Sequence, residues 1–342
     1  MESISGSKNC DRKTKVKELR YICGISCEEF KNEIYPKRVP VVLRGFDLGS
    51  CTSKWTVEYL VSQAGDKKVT THVSEIPQMD FLNKNFLYRI LPFSELVKRA
   101  SQDSNEEFFI CPEEKYYLRS LGDDPRNTVA NIEEQFPQIA NDLNIPDLFP
   151  AKSFFSSVFR IASKSTQLWT HYDIMDNILM QIKGRKRVVL FSPQDAHNLY
   201  LQDGKSTVLD IDNINTEKFP LFLKATRYEC ILEPGDILFI PALWFHNVIS
   251  EEFGIAVNVF WKHLDPALYN PKDPYGNKDP LAMQSATQIV DRAIKTLGVL
   301  PPEYKDFYAR LLVSRIEQPS RSLNIDKQLR EERVAKVKLR LV

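Results

Sequence analysis

The sequence predicts a mainly β protein with added helices, built around a double-stranded β-helix, or jelly roll. Three observations carry that expectation. Short apolar runs suited to a pleated surface recur between turn signals from Phe154 to Trp261. Some of the connections between them are long and polar, as over residues 195–225, where Asp210, Asp212 and Asn213 mark loop. Two of the runs bear residues able to ligate a metal, His171 and His246.

Taken in order, residues 1–20 are polar and basic (Lys8, Arg12, Lys13, Lys15, Lys17, Arg20) and read as a solvated tail. Ser26-Cys27-Glu28-Glu29 is a capped helix start with carboxylates in its first turn, running to Ile34. Val41 to Arg44 is a short apolar strand closed by Gly45, and Ser53 caps a second helix carrying Trp55, Tyr59 and Leu60. Val69 to Val73 reads as strand, and a strand-like run extends from Phe108 to Leu118. Phe154 to Ile161 is a good strand. Val188 to Phe191 is another, stopped at Pro193. Tyr228–Leu232, Ile237–Ile240 and Ile255–Trp261 complete the series. After Pro271 the period changes to helical: Met283, Ala286, Val290, Ala293, Ile294 and Leu297 form one stripe ending at Gly298. Pro301-Pro302 opens a second helix with Tyr304, Phe307, Tyr308, Leu311, Leu312 and Ile316. The tail from Ser320 is basic.

Composition bounds the function loosely. With 43% hydrophobic and 27% charged residues, the chain reads as an ordinary globular protein. A net charge of +1 leaves any basic surface local. No run has the apolar length of a membrane span, and the first residues lack the apolar core of a secretion signal. Six cysteines, of which only Cys23 and Cys27 lie near each other, point to reduced thiols and an intracellular, cytoplasmic setting.

The stretch from Trp169 to Lys186 is the chemical centre. Read as a strand, it places the His171 imidazole and the Asp173 carboxylate side by side, because positions two apart share a face. A third ligand must come from elsewhere, and His246, after a Gly235-Asp236 turn, an apolar run and Pro241, is the candidate. Two imidazoles and one carboxylate with open positions remaining is the ligand set of non-haem Fe(II) oxygenases. Asn177 and Lys186 follow on the same strand or the next. A lysine aimed into an apolar barrel is costly unless it meets an anion. His197, in a polar loop, and His263, beyond the last strand, read as non-ligands. Asn258 reads either as support for the site or as a satisfied structural amide.

These motifs resemble the JmjC-domain iron and 2-oxoglutarate oxygenases: His171-Tyr172-Asp173, then Asn177, then Gln181-Ile182-Lys183-Gly184-Arg185-Lys186-Arg187. Within that family the chain is most similar to a tRNA-modifying branch over about Tyr35 to Gln318. The segments CTSKWTVEYL, KYYLRSLG, FFSSVFRI, LWTHYD and FIPALWFHNVISEEFG carry the match. The resemblance implies a jelly-roll core at about 150–265 within a catalytic domain spanning 21–270, dimerising helices at 271–318 and a basic tail at 319–342. It implies Fe(II) on His171, Asp173 and His246, and 2-oxoglutarate held by Lys186 and Tyr117 at its far carboxylate and by Asn177 at its chelating end. It further implies a homodimer, and hydroxylation of a wybutosine-type guanosine in phenylalanine tRNA. Arg160, just upstream of the ligand strand, is the first candidate for an RNA contact at the barrel mouth. A protein hydroxylase, as in the asparaginyl branch of the family, is the alternative.

Overall fold

The computed structural model describes residues 15–318. The roll consists of the strands Phe154–Ala162, Gln167–His171, Asp176–Lys183, Lys186–Phe191, Arg227–Leu232, Ile237–Ile240, Phe245–Ser250 and Gly254–Trp261. The chain passes back and forth between two sheets. In the nine-stranded sheet, Phe154–Ala162, Gly254–Trp261, Asp176–Lys183 and Ile237–Ile240 lie side by side, all antiparallel. In the eight-stranded sheet the order is Gln167–His171, Phe245–Ser250, Lys186–Phe191 and Arg227–Leu232, again antiparallel. The jelly roll expected from the sequence is the fold observed.

Burial explains why several of these strands lack a polar face. Every residue of Gly254–Trp261 is buried, because one side faces the roll interior and the other packs on the N-terminal elements. The period of two survives as a division between two cores. Phe159, Ile161, Ile178, Met180, Val257 and Val259 join Phe30, Trp55, Leu60 and Phe93 outside the roll. Leu179, Ala162 and Ala256 join Val188, Leu190 and Val248 inside it. The same alternation turns Tyr116 and Leu118 outward and Tyr117 inward.

Flanking strands widen the nine-stranded sheet. Val41–Arg44 and Tyr21–Cys23 extend one edge; Lys115–Arg119, Lys68–Ser74 and Phe86–Pro92 extend the other. The capping box at Ser26 forms as expected, with Glu29 as its partner, and the helix Cys27–Glu29 continues as a π-helix over Phe30–Ile34. Residues 15–278 form one compact unit.

Several expectations need correcting. Residues 15–20 are not free tail: Val16–Glu18 pairs in parallel with Arg227–Leu232, and Leu19 is buried. The rest of that tail, and the basic tail from 319, lie outside the described residues. Ser53 sits inside a one-turn helix, Cys51–Lys54; the cap belongs to Thr56, whose hydroxyl accepts from the Tyr59 N–H to start Val57–Ala64. The run from Phe108 forms strand only at Lys115–Arg119, since Glu114 instead accepts the N–H groups of Phe109 and Ile110 and shapes a loop. The strand Phe245–Ser250, which Pro241 obscures in the sequence, separates from Ile237–Ile240. Finally, residues 271–278 belong to the barrel unit, and the helical unit begins at Asp279.

That second unit holds the helix Leu281–Leu297 and another over residues 302–318. Both predicted stripes are helical. Their apolar side chains are exposed, Ile294 at 56% and Leu311 at 54%. Among the described residues, no helix is long and apolar enough to cross a membrane.

Candidate metal centre

Trp169 to Lys186 is not one strand. Gln167–His171 ends at the first ligand, the chain turns through Tyr172–Met175, and Asp176 enters the opposite sheet. Asp173 therefore reaches the site from a turn between sheets, and strand alternation is not what places it. A backbone bond fixes the turn: the Leu243 N–H donates to the Asp173 carbonyl at 2.8 Å. Gly184 makes the next reversal with φ +71°, where a Cβ would meet the Phe253 carbonyl oxygen at 2.1 Å.

His246 lies in Phe245–Ser250, directly across the ladder from His171. The two imidazoles are cross-strand neighbours, with ring centres 4.4 Å apart. His246 Nε2 is 3.5 Å from Asp173 Oδ2, and one ligand atom from each of the three residues falls within 4.8 Å of the others. Among the described residues, this is the cluster of such groups suited to a metal.

The two imidazoles are oriented as a metal requires. His171 Nδ1 lies 2.9 Å from the Trp169 carbonyl, and His246 Nδ1 lies 3.1 Å from that of Trp244. Each carbonyl can only accept, so each Nδ1 carries a proton, and in the neutral ring Nε2 is the nitrogen left with a lone pair for a metal. Burial, helped by the neighbouring His246, pushes the His171 imidazole down to about 3, so it is neutral at physiological pH. Two imidazoles turned this way and one carboxylate fit a divalent transition metal with open positions.

Across the cavity the nine-stranded sheet supplies a chain of hydrogen bonds. Arg160 donates through Nη1 to the Tyr117 hydroxyl and through Nε to Asn258 Oδ1 at 2.6 Å. Asn258 Nδ2 donates to Asn177 Oδ1 at 3.1 Å, and Asn177 Nδ2 donates to Asp173 Oδ2 at 3.3 Å. Asn258 thus supports the site, the first of its two readings. Arg160, expected at the barrel mouth, is turned by strand alternation into the cavity, where it lies beside Tyr117.

Lys186 opens the strand Lys186–Phe191, is only 3% exposed and lines the same cavity. Among the described residues it has neither hydrogen bond nor ion pair, and burial with Arg160 nearby pushes its ammonium down to about 7. Tyr117 lines the cavity with it, while Tyr116 is turned into the outer core, where its hydroxyl contacts Glu114. His197 is exposed; His263 contacts the Tyr269 hydroxyl and lies outside the ligand cluster.

The cavity measures about 390 Å³. Its lining includes residues not singled out from the sequence: Arg119, His72, Phe81, Tyr88 and, from the loop after the last strand, Tyr275. Arg119 was discoverable, being two positions beyond Tyr117 on one strand. Tyr275 sits in a Pro- and Asp-rich loop that carries no such periodic signal.

Comparison with known proteins agrees with this geometry. The model of a family described as a cupin-like domain matches residues 27–266. The chain is 60% identical over 301 residues to the Homo sapiens protein called tRNA wybutosine-synthesizing protein 5, covering 88% of this chain and 96% of that one. The Mus musculus protein of the same name is 59% identical over 303 residues, 89% of this chain and 96% of that one. A Gibberella zeae protein called tRNA wybutosine-synthesizing protein 4 is 36% identical over 293 residues, which is 83% of this chain but 27% of that longer protein. The chain therefore belongs to the cupin-like family and, by identity over most of its length, to the group formed by the proteins called tRNA wybutosine-synthesizing protein 5.

Proposed function

We propose that this chain is an Fe(II)- and 2-oxoglutarate-dependent hydroxylase that acts on a wybutosine-type guanosine next to the anticodon of phenylalanine tRNA. The carrying observation is the pairing, in one cavity, of a two-histidine, one-carboxylate cluster with a buried lysine that has neither hydrogen bond nor ion pair among the described residues. Such a lysine calls for an anion, and a 2-oxo dicarboxylate answers both ends of the cavity. The substrate rests on the names of the relatives.

His171, Asp173 and His246 hold the iron. Iron bound there supplies the oxygen chemistry: one atom of O2 enters succinate as 2-oxoglutarate loses CO2, and the other becomes the substrate hydroxyl. The chain's own groups do the positioning. The Trp169 and Trp244 carbonyls keep both Nε2 lone pairs available. Asn177 steadies Asp173 with one amide hydrogen and has a second for the chelating end of the cosubstrate. Lys186 and the Tyr117 hydroxyl take the far carboxylate in a site walled by Val248, Ile240 and Leu179, where a charge-assisted contact is stronger than in water.

Two further parts of this reading concern partners. The exposed apolar stripes of the helices at 281–297 and 302–318 form a homodimer interface, so light scattering of the purified protein reads twice the chain mass. Binding to phenylalanine tRNA falls steeply between low and physiological salt, because phosphate contacts release counterions.

Mass spectrometry of tRNA from cells with and without the protein tests the assignment, the hydroxylated base vanishing without it. His171→Ala and Asp173→Ala each abolish succinate formation while the β-rich circular dichroism spectrum persists. Normal succinate formation by either variant would remove the metal assignment.

A further inference from the structure

The cosubstrate accounts for Lys186 but leaves a surplus of positive charge. Four cationic side chains line the cavity, Lys186, Arg160, Arg119 and Lys205, against the single carboxylate of Asp173. That leaves three positive charges, counting histidines as neutral. A divalent metal and a dicarboxylate then cancel each other, so the loaded cavity remains strongly positive.

With Lys186 assigned to the cosubstrate, Arg119 is the cavity cation that most calls for a further anion. It ends the strand Lys115–Arg119 and sits directly across the ladder from Arg160, a like-charge pairing that costs stability. Arg160 donates to two partners, Tyr117 and Asn258. Arg119 donates one bond, from Nη2 to the Tyr275 carbonyl at 3.2 Å, and lies 5.0 Å from the centre of the Tyr275 ring. No carboxylate among the described residues of the barrel lies within ion-pair distance of either guanidinium, and burial together with Arg160 lowers the pKa of Arg119. A guanidinium offers five N–H donors, so most of those on Arg119 are available.

Its surroundings are aromatic. The Tyr275 ring flanks it, 38% exposed, and Tyr88 at the cavity rim is 51% exposed. Deeper in, Phe81 lies against Trp169 with ring centres 3.7 Å apart, and Trp169 stacks on His171 at 4.4 Å. Aromatic walls lead from the rim to the metal ligands. The loop bearing Tyr275 is held in shape: Asp273 Oδ1 accepts from the Gly276 N–H and Oδ2 from the Lys278 N–H. At Gly276, φ is +68° and a Cβ would meet the Phe155 ring at 2.6 Å.

We propose that the outer half of the cavity receives a planar base carrying an oxyanion, with the ring against Tyr275 and Tyr88 and the oxyanion on Arg119. A base lifted from its stack loses stacking energy, and aromatic walls return it. An uncharged base would leave the guanidinium buried without a counter-ion, so Arg119 selects for the anionic form of the substrate. This rests on the hydroxylase reading above. The oxyanion comes either from a carboxylate on the base side chain or from an adjacent RNA phosphate.

Equilibrium binding to metal-free protein separates the cases, using modified phenylalanine tRNA and the isolated modified nucleoside, which has no phosphate. Arg119→Gln weakens tRNA binding about 10- to 100-fold, the loss expected for a charge-assisted bond. Arg119→Lys, which keeps the charge without the planar fork, recovers part of it. Equal loss for the nucleoside, with an unchanged salt slope, places the anion on the base. Loss for tRNA alone, with the salt slope reduced by about one, places it on the backbone. An Arg119→Gln protein that binds both probes like the parent overturns the proposal, while a parent that neither binds nor hydroxylates the tRNA overturns the hydroxylase reading instead. If Arg119→Gln weakens 2-oxoglutarate binding in place of tRNA binding, the guanidinium belongs to the cosubstrate and the proposal falls.

Discussion

Asp176 and Lys186 are both buried charged side chains of the same roll, and the protein treats them oppositely. The Asp176 carboxylate has no exposed surface and is saturated: Arg38 donates to both oxygens, Tyr35 donates at 2.6 Å and the Ala242 N–H at 2.8 Å. Burial and that carboxylate together push the Tyr35 hydroxyl up to about 12. Among the described residues Lys186 has no such company. A buried ion kept with four donors is scaffold, here tying the N-terminal segment to the loop that precedes His246. A buried ion kept with none suits the anion site proposed above, where an arriving carboxylate would recover the desolvation cost.

The contrast can be broken from either side. Asp176→Ala leaves Arg38 facing a hole and removes the acceptor for the Ala242 N–H, with an expected loss of about 3–5 kcal/mol. Urea denaturation checks it, and an unchanged midpoint would show that the cluster is not scaffold. Lys186→Met has the reverse signature. Affinity for 2-oxoglutarate falls roughly 10- to 100-fold, as for a lost charge-assisted bond, while the ligand-free protein becomes more stable.

That stability gain depends on pH. With its ammonium pushed down to about 7, the native state binds fewer protons than the unfolded chain between about 7 and the ordinary lysine value of about 10.4. Stability of the parent therefore rises with pH across this window. The advantage of Lys186→Met is full at and below neutrality and fades toward pH 10. Thermal melts of both proteins across the window measure it, and a constant difference would mean that Lys186 is not desolvated.

Asn258→Ala is the smallest of the changes. It cuts the chain between Arg160 and Asn177, two bonds away from the ligand, and should weaken metal binding by about tenfold, the low end for an outer partner of a metal site. Loss of all metal binding would make Asn258 as necessary as a ligand.

The sequence carries the ligands and the fold more clearly than the geometry joining them. Strands of the roll are legible as apolar runs because they are buried on both faces. The same burial hides the period of two, so the inward turn of Arg160 and Asn258 and the outward turn of Tyr116 are not readable from polarity alone. Asp173 joins His171 and His246 in the cluster, but from a turn between sheets, which mimics strand spacing over so few residues. A repeated Trp-x-His at Trp169–His171 and Trp244–His246 marks both ligands, each tryptophan carbonyl holding the imidazole two residues later. Tyr275 was beyond reach. Its place depends on a loop whose local turn chemistry says nothing about which cavity it closes.

The cross-strand pairing of His171 with His246 also sets when the chain can hold a metal during folding. The strand of the second histidine is the penultimate strand of the roll, and it must find Gln167–His171 after every intervening element has been laid down. Contacts of such long sequence separation form late, because their loop-closure entropy is met only once the intervening structure exists. Metal loading then reports a finished barrel, and a bound ion draws the equilibrium toward the closed chain by mass action. On the proposed assignment of iron to this site, iron starvation shortens the protein's lifetime as well as stopping its chemistry.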